Sequence, residues 1–287
     1  MIYRLLAMNI DGTILQDKQK LYKSVKEAID YVQSKDVTVT LVTSRNFIFA
    51  KRIAKALKLD SLLVTHHGGY ISKSKDEPVF VRRIGDNTVF DIVQFLENYK
   101  THIRIVNEKM SVSNVPPKEK RLARTIIDPT TFSVYHHQYV NKVSDYLYSE
   151  QMQPTHIEVV FHNPSEAEEA QLALQNMFYE VNINHYGNQL IILPRGVSKL
   201  TGLLYICDKL KIPLKETVVI GSGEDDLEII EAAGLGVAMG NAPQPVKYAA
   251  DWVTRSNNEQ GVAYMVKEHF RKQHPISFLE KMNILKK

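Results

Sequence analysis

Apolar and polar positions alternate between two periods along the first part of this chain. Residues 2–10 form an apolar run closed by Asp11-Gly12-Thr13, which predicts a buried strand and a turn. Residues 24–34 place Val25, Ile29 and Val32 on one helical face, and the β-branched residues 37–42 predict a second strand. Residues 47–57 are helical in period, and residues 62–65 read as a third, short strand. Strands separated by helices predict a parallel sheet with right-handed crossovers.

The pattern changes over about residues 84–193. Helix-like residues 88–99 lead to strand-like residues 102–106, and Pro116-Pro117 with the charged residues 118–124 then interrupt the chain. An alternating strand at 156–161, a helix at 166–177 announced by Pro164, and a hairpin at 181–192 turning near Gly187-Asn188 follow. This stretch is less apolar than its flanks and predicts a separate α+β module inserted in the first fold. After Pro194 the parallel-sheet pattern returns, with a helix at 199–209, a strand at 217–220, an acidic loop, a helix at 227–233 and a short strand at 236–239. The expected fold class is α/β, with a discontinuous core at 1–83 and 194–273, an inserted domain at 84–193, and a loose or docked tail at 274–287.

Length and composition agree with this division. The 287 residues suggest about two domains, and 44% hydrophobic with 24% charged residues is ordinary for a globular chain. The single cysteine, Cys207, excludes an intrachain disulfide or a thiolate cluster, and with no secretory start it points to a reducing cytoplasm. No apolar run approaches the length of a membrane span. The excess charge of 36 − 32 = +4 is compatible with anionic substrates.

Four short stretches are candidates for chemistry. Asp11-Gly12-Thr13 falls at the carboxyl end of a predicted parallel strand, where open α/β sheets bind ligands; an ordinary Asp-Gly turn is the alternative. Thr43-Ser44-Arg45 ends the second strand, where a hydroxyl suits a phosphate oxygen or simply caps the next helix. Lys199, after Pro194-Arg195-Gly196-Val197-Ser198, carries a cation suited to a phosphate or a neighbouring carboxylate, or only to solvent. Gly221-Ser222-Gly223-Glu224-Asp225-Asp226 packs three acids together, which is costly unless a cation or a lysine relieves them. Magnesium, an oxygen-seeking ion, is one partner for them; the dipole of the next helix is another. All four stretches follow strands of one predicted sheet and can meet at its edge.

In order and spacing these stretches resemble the haloacid dehalogenase superfamily, in its Cof-type group of phosphatases with a large α/β cap. That group carries Asp-x-Asp-Gly-Thr, Thr-Gly-Arg, Pro-Lys-Gly-Val-x-Lys and Gly-Asp-x-x-Asn-Asp segments; here Asn9 to Thr13, Thr43 to Arg45, Pro194 to Lys199 and Gly221 to Asp226 stand in their places. The loop containing Asn241 and the segments around Val246-Lys247, Ala250-Asp251 and Gly261-Val262 follow the same pattern. The resemblance implies a Rossmann-like core with an inserted cap and Mg²⁺-dependent hydrolysis of phosphate monoesters of sugars, nucleotides or cofactors. It makes Asp11 the acid/base and its backbone carbonyl a metal ligand, with Asp225 and Asp226 also at the metal. By the same resemblance Gly12, Thr13, Thr43, Ser44 and Arg45 bind phosphate, and Lys199 steadies nucleophile and phosphate.

The chain departs from that pattern where it matters most. Asn9 stands at the nucleophile position, and an amide has no anionic oxygen to attack phosphorus. Ser222 stands where the family supplies a metal-ligating carboxylate, and Asp225 replaces an asparagine. Two carboxylates lost and one gained leave the site one negative charge short, so Mg²⁺ is expected to bind more weakly. Ser44 and His67 replace the usual glycine and asparagine. The expectation is a phosphohydrolase fold that binds small phosphorylated metabolites with impaired hydrolysis. Alternatives are a Mg²⁺-dependent phosphatase working by an altered route, with water attacking and Asp11 as base, and a non-catalytic sensing or interaction protein.

Other signals read more simply. His66-His67 and His136-His137 lack a carboxylate at ligand spacing, the mixed-charge residues 118–124 lack the interleaved aromatics of a nucleic-acid site, and Cys207 reads as packing. Tyr135, His137, Tyr139 and Tyr186 either line a pocket or pack the inserted domain.

Overall fold

The computed structural model describes residues 2–74, 77–115, 135–282 and 284, so Pro116-Pro117 and the charged residues 118–124 lie outside the described residues. Two compact units form, Met1–Pro78 with Lys199–Lys287 and Val79–Ser198. The seams thus follow Pro78 and Ser198, not residues 83 and 193. In chain order the strands are β1 (Leu5–Met8), β2 (Thr38–Leu41), β3 (Leu63–Thr65) and β4 (Tyr70–Ser72), then β5 (Pro78–Val81) across the seam. The second unit contains β6 (Thr101–Val106), β7 (Met110–Asn114), β8 (His136–Val140), β9 (His156–Phe161), β10 (Val181–Tyr186) and β11 (Gln189–Pro194). The first unit resumes with β12 (Thr217–Gly221), β13 (Leu235–Ala238) and β14 (Trp252–Val253).

In the first unit a parallel sheet runs in the order β14-β13-β12-β1-β2. Its apolar runs follow from burial on both faces: Leu5, Leu6, Ala7 and Met8 are all fully buried, each large side chain stabilising by roughly 1.5–3 kcal/mol. Helix Lys23–Gln33 turns the expected Val25, Ile29 and Val32 into the core. The third predicted strand is only partly a member of this sheet. It touches it through a single parallel bridge, Val42 to Val64, and its main partner is the antiparallel β4. The reason is the tight turn at His66–Gly68, where His66, His67 and Gly68 all take left-handed backbone conformations and reverse the chain. The described part of the tail is docked: helix Ile276–Lys281 buries Ile276 and Leu279, and the Ile276 amide donates to the Lys35 carbonyl at 3.0 Å. No helix among the described residues is long and apolar enough to cross a membrane.

The second unit is an α+β layer. Its sheet runs β10-β11-β9-β6-β7-β8, antiparallel except for the β7–β8 pair. One face, including Ile103, Ile105, Ile157, Val159 and Ile192, packs with side chains of helices Asp86–Leu96, Val143–Ser149 and Pro164–Met177. Pro164 opens the last of these, as the sequence predicts, and Asn163 caps it. The hairpin Val181–Tyr186/Gln189–Pro194 turns at Gly187, whose φ of 62° favours glycine. The opposite face alternates polar residues, of which the sequence singles out only His137. Arg104 pairs with Glu158 at 2.8 Å, His156 reaches Glu158 at 3.1 Å, and His137 lies between the hydroxyls of Ser111 and Ser113. Burial works against the Glu158 carboxylate, yet Arg104 and His156 hold it well below its usual range. Tyr135 packs, with its hydroxyl donating to the carbonyls of Asn107 and Met110; Tyr186 packs against Ile191, Leu193 and Val197; Tyr139 is exposed beside His137.

Candidate active site

The strand tips of the first unit hold most of the predicted residues in one bonded network. Asn9 continues β1, its amide N–H donating to the Ile220 carbonyl at 3.0 Å, and its side chain is buried. That side chain is held at both ends. Its Oδ1 accepts from the Ile10 amide at 2.7 Å, and its Nδ2 donates to Asp226 Oδ2 at 2.8 Å. A carboxylate only accepts, so the NH₂ end must face Asp226.

The next residues form a wide turn over Ile10–Ile14, closed by the Leu15 amide on the Ile10 carbonyl at 3.2 Å. Gly12 has a φ of 62°, and a Cβ there would lie 2.7 Å from Ser222 Oγ. Asp11 points its carboxylate at Arg45, which binds both oxygens through Nε and Nη2 at 2.7 Å each. Such a two-point pair is among the stronger charge-assisted contacts. The Arg45 guanidinium also lies 4.8 Å from the Phe49 ring centre. The backbone carbonyl of Asp11 accepts a hydrogen bond from Ser222 Oγ at 3.0 Å, and that hydroxyl accepts from Thr13 Oγ1 at 3.2 Å.

At the second strand, Thr43 Oγ1 accepts from the Arg45 amide at 3.2 Å and so shapes the loop. The cap of helix Phe47–Ala56 is Asn46, accepting from the Phe49 amide at 2.9 Å, rather than Thr43 or Ser44. Ser44 is half-buried in the chain between them.

The acidic loop after β12 is relieved by a lysine. Lys199, at the start of helix Lys199–Leu210 and only 3% exposed, places Nζ 2.6 Å from both Asp225 Oδ2 and Asp226 Oδ1. Burial opposes the ammonium, but Asp225 and Asp226 raise its pKa above the usual lysine range. Asp226 is fully buried; its Oδ2 accepts from the amides of Ser222 (2.8 Å) and Gly223 (3.0 Å) as well as from Asn9. Glu224, the third acid, is exposed.

Asn241 closes the network by donating to the Gly12 carbonyl at 2.9 Å and accepting from the Asn257 amide at 3.0 Å. Asn257, which sequence reading missed, also donates to the Leu15 carbonyl and to Asp17, each at 3.0 Å. Its only sequence signal is a polar residue two before Glu259. Away from the site, His66 Nε2 accepts from the Phe47 amide at 3.3 Å, and burial pushes the Cys207 thiol up to about 11.

Fold and site together define a class. The chain belongs to the haloacid dehalogenase-like hydrolases, whose family pattern covers residues 6–266. It is similar to the stress response protein YhaX of Bacillus subtilis, 43% identical over 98% of each chain. It is also similar to the 5-amino-6-(5-phospho-D-ribitylamino)uracil phosphatase YcsE of the same organism, 25% identical over 92% of this chain and 94% of that one. Among solved structures, the subclass IIB sugar phosphatase BT4131 shares the fold with a TM-score of 0.77, at 22% identity over 93% of this chain and 99% of that one.

Proposed function

We propose that this protein binds small phosphorylated metabolites at the strand tips and hydrolyses them poorly or not at all. The carrying observation is the state of Asn9: an amide at the nucleophile position, with its oxygen on the Ile10 amide and its nitrogen on Asp226. No group there can form a bond to phosphorus. The altered route fares no better. Asp11 would have to accept a proton from water, yet both its oxygens are engaged by Arg45. Support for phosphate binding comes from the family of phosphohydrolases to which the chain belongs and from the Thr43 hydroxyl at this edge, beside Arg45 and Lys199, which are paired with Asp11 and with Asp225 and Asp226. The ligand class follows from relatives such as the uracil phosphatase YcsE.

Haloacid dehalogenase-like phosphatases generally use Mg²⁺, and the residues of this chain do not fit that ion. The Asp11 carbonyl faces a hydroxyl donor, Asp226 is filled by amide and ammonium donors, and Asp225 is paired with Lys199. The single buried thiol suits a cytoplasmic setting.

The test is a panel of sugar, nucleotide and flavin-precursor phosphates incubated with purified protein and Mg²⁺, alongside calorimetric titration of the same esters. Binding of at least one ester with turnover far below the ordinary 1–1000 per second is expected. Turnover within that range, or failure of every ester to bind, overturns the reading.

A further inference from the structure

We infer that this strand-tip site is built to stand without a divalent cation, its own side chains meeting the oxygens that an ion would meet. Four oxygens at this edge, the Asp11 carbonyl, both of Asp226 and one of Asp225, are met by internal donors. Ser222 Oγ donates to the Asp11 carbonyl (3.0 Å), Asn9 Nδ2 and two backbone amides donate to Asp226 Oδ2, and Lys199 Nζ bridges Asp226 Oδ1 and Asp225 Oδ2. An ion needs lone pairs aimed at one point. Here the same region presents N–H and O–H groups, and a cation placed among them would meet the positive ends of those dipoles.

Charge leads to the same conclusion. Asn9 and Ser222 remove two negative charges relative to the pattern this chain resembles and Asp225 restores one, so an ion would meet one carboxylate fewer here. The one added acid, Asp225, is taken up by the second ion pair of Lys199 at 2.6 Å. The substitutions at 9, 222 and 225 therefore form a matched set. Asn9 turns its amide toward Asp226, Ser222 ties the first loop to the fourth, and Asp225 shares the lysine. Ser222 is the central member, since it bonds Asp11 and receives Thr13 and lies against Gly12.

The experiment is a thermal-shift series on ligand-free protein with EDTA or with excess MgCl₂, paired with calorimetric titration of Mg²⁺. The wild-type chain is expected to show a Tm that moves by less than about 1 °C and no saturable Mg²⁺ heat. The double variant Asn9→Asp/Ser222→Asp restores two carboxylates and should gain a Mg²⁺-dependent rise of about 5–10 °C at roughly hundredfold excess over Kd. A wild-type rise of several degrees with Mg²⁺, or a saturable wild-type Mg²⁺ isotherm, overturns the inference. So does a folded double variant with no response to Mg²⁺; should that variant not fold, the wild-type calorimetry alone decides. Neither readout involves a phosphate ester, so failure here and failure of the proposed ligand binding are distinguishable.

Discussion

Replacing Lys199 by methionine tests the centre of the site most directly. The substitution keeps the length of the buried stem and removes the ammonium that lies 2.6 Å from two carboxylates. Asp226 would keep its amide donors but lose its cationic partner Lys199 while fully buried, and Asp225, about three-quarters buried, would be left repelling it. Breaking a buried ion pair by removing one partner costs about 3–5 kcal/mol, because the remaining charge is left in a poor solvent. For a unit of this size each kcal/mol lowers Tm by about 2–4 °C, so a fall of about 6–20 °C is expected in the transition of the first unit. The assay is urea denaturation followed by intrinsic fluorescence of Trp252, which reports on that unit, with a scanning-calorimetry control. A companion, Lys199→Met/Asp226→Asn, removes the unpaired charge and should recover more than half of the loss. The reasoning is refuted if Lys199→Met changes stability by less than about 1 kcal/mol, or if the companion is the less stable of the two.

Three further outcomes follow from the geometry. Gly12→Ala should destabilise by about 1–3 kcal/mol in urea melts, since a left-handed φ and a 2.7 Å approach to Ser222 Oγ act together; Gly12→Ala/Ser222→Ala should relieve only the steric part. His102 and His137 are both held to about 4, by burial first and Arg104 next, with Glu158 opposing at His102; their neutral forms are favoured in the fold. Their stabilisation is therefore complete above the ordinary histidine value of 6.5 and is lost as pH falls from there toward 4. After allowance for solvent screening, about 1–2 kcal/mol each should disappear from the second unit in melts at stepped pH, and His102→Asn should flatten that slope. Cys207, buried with its thiol pushed up to about 11, should react with iodoacetamide at neutral pH far more slowly than a free thiol until the protein is unfolded, as mass spectrometry would read.

Much of the fold was legible because the signals were local. The runs that became β1 and β12, the face Val25-Ile29-Val32 and the Gly187-Asn188 turn depend on near neighbours in sequence. Strands β7 and β8 were not readable, since Met110–Asn114 and His136–Val140 carry serines and histidines on a face whose burial depends on tertiary contacts. The tail helix was hidden for a related reason: only its docking by Ile276 and Leu279 fixes it. At the site, every residue type was visible but the partners were not. Arg45 was read as a phosphate ligand and is found on Asp11; the Asp11 carbonyl was read as a metal ligand and is found on Ser222. The latter two residues are more than two hundred positions apart, and no periodicity links them. The polar face of the second unit could have been found, because His102-Ile103-Arg104 and His156-Ile157-Glu158 repeat the same alternation.

The pairing of β1 has a consequence for biosynthesis. Leu5 to Met8 line up with Thr217 to Ile220, while the whole of Val79–Ser198 is one uninterrupted piece of chain. On the ribosome the amino-terminal strands must wait, with the four-residue edge of β1 uncovered, until β12 has emerged. The inserted unit has no such delay. Nascent chains of this protein are expected to complete the insert first and the outer unit last, which makes the interval between them the period of greatest exposure to chaperones and to aggregation.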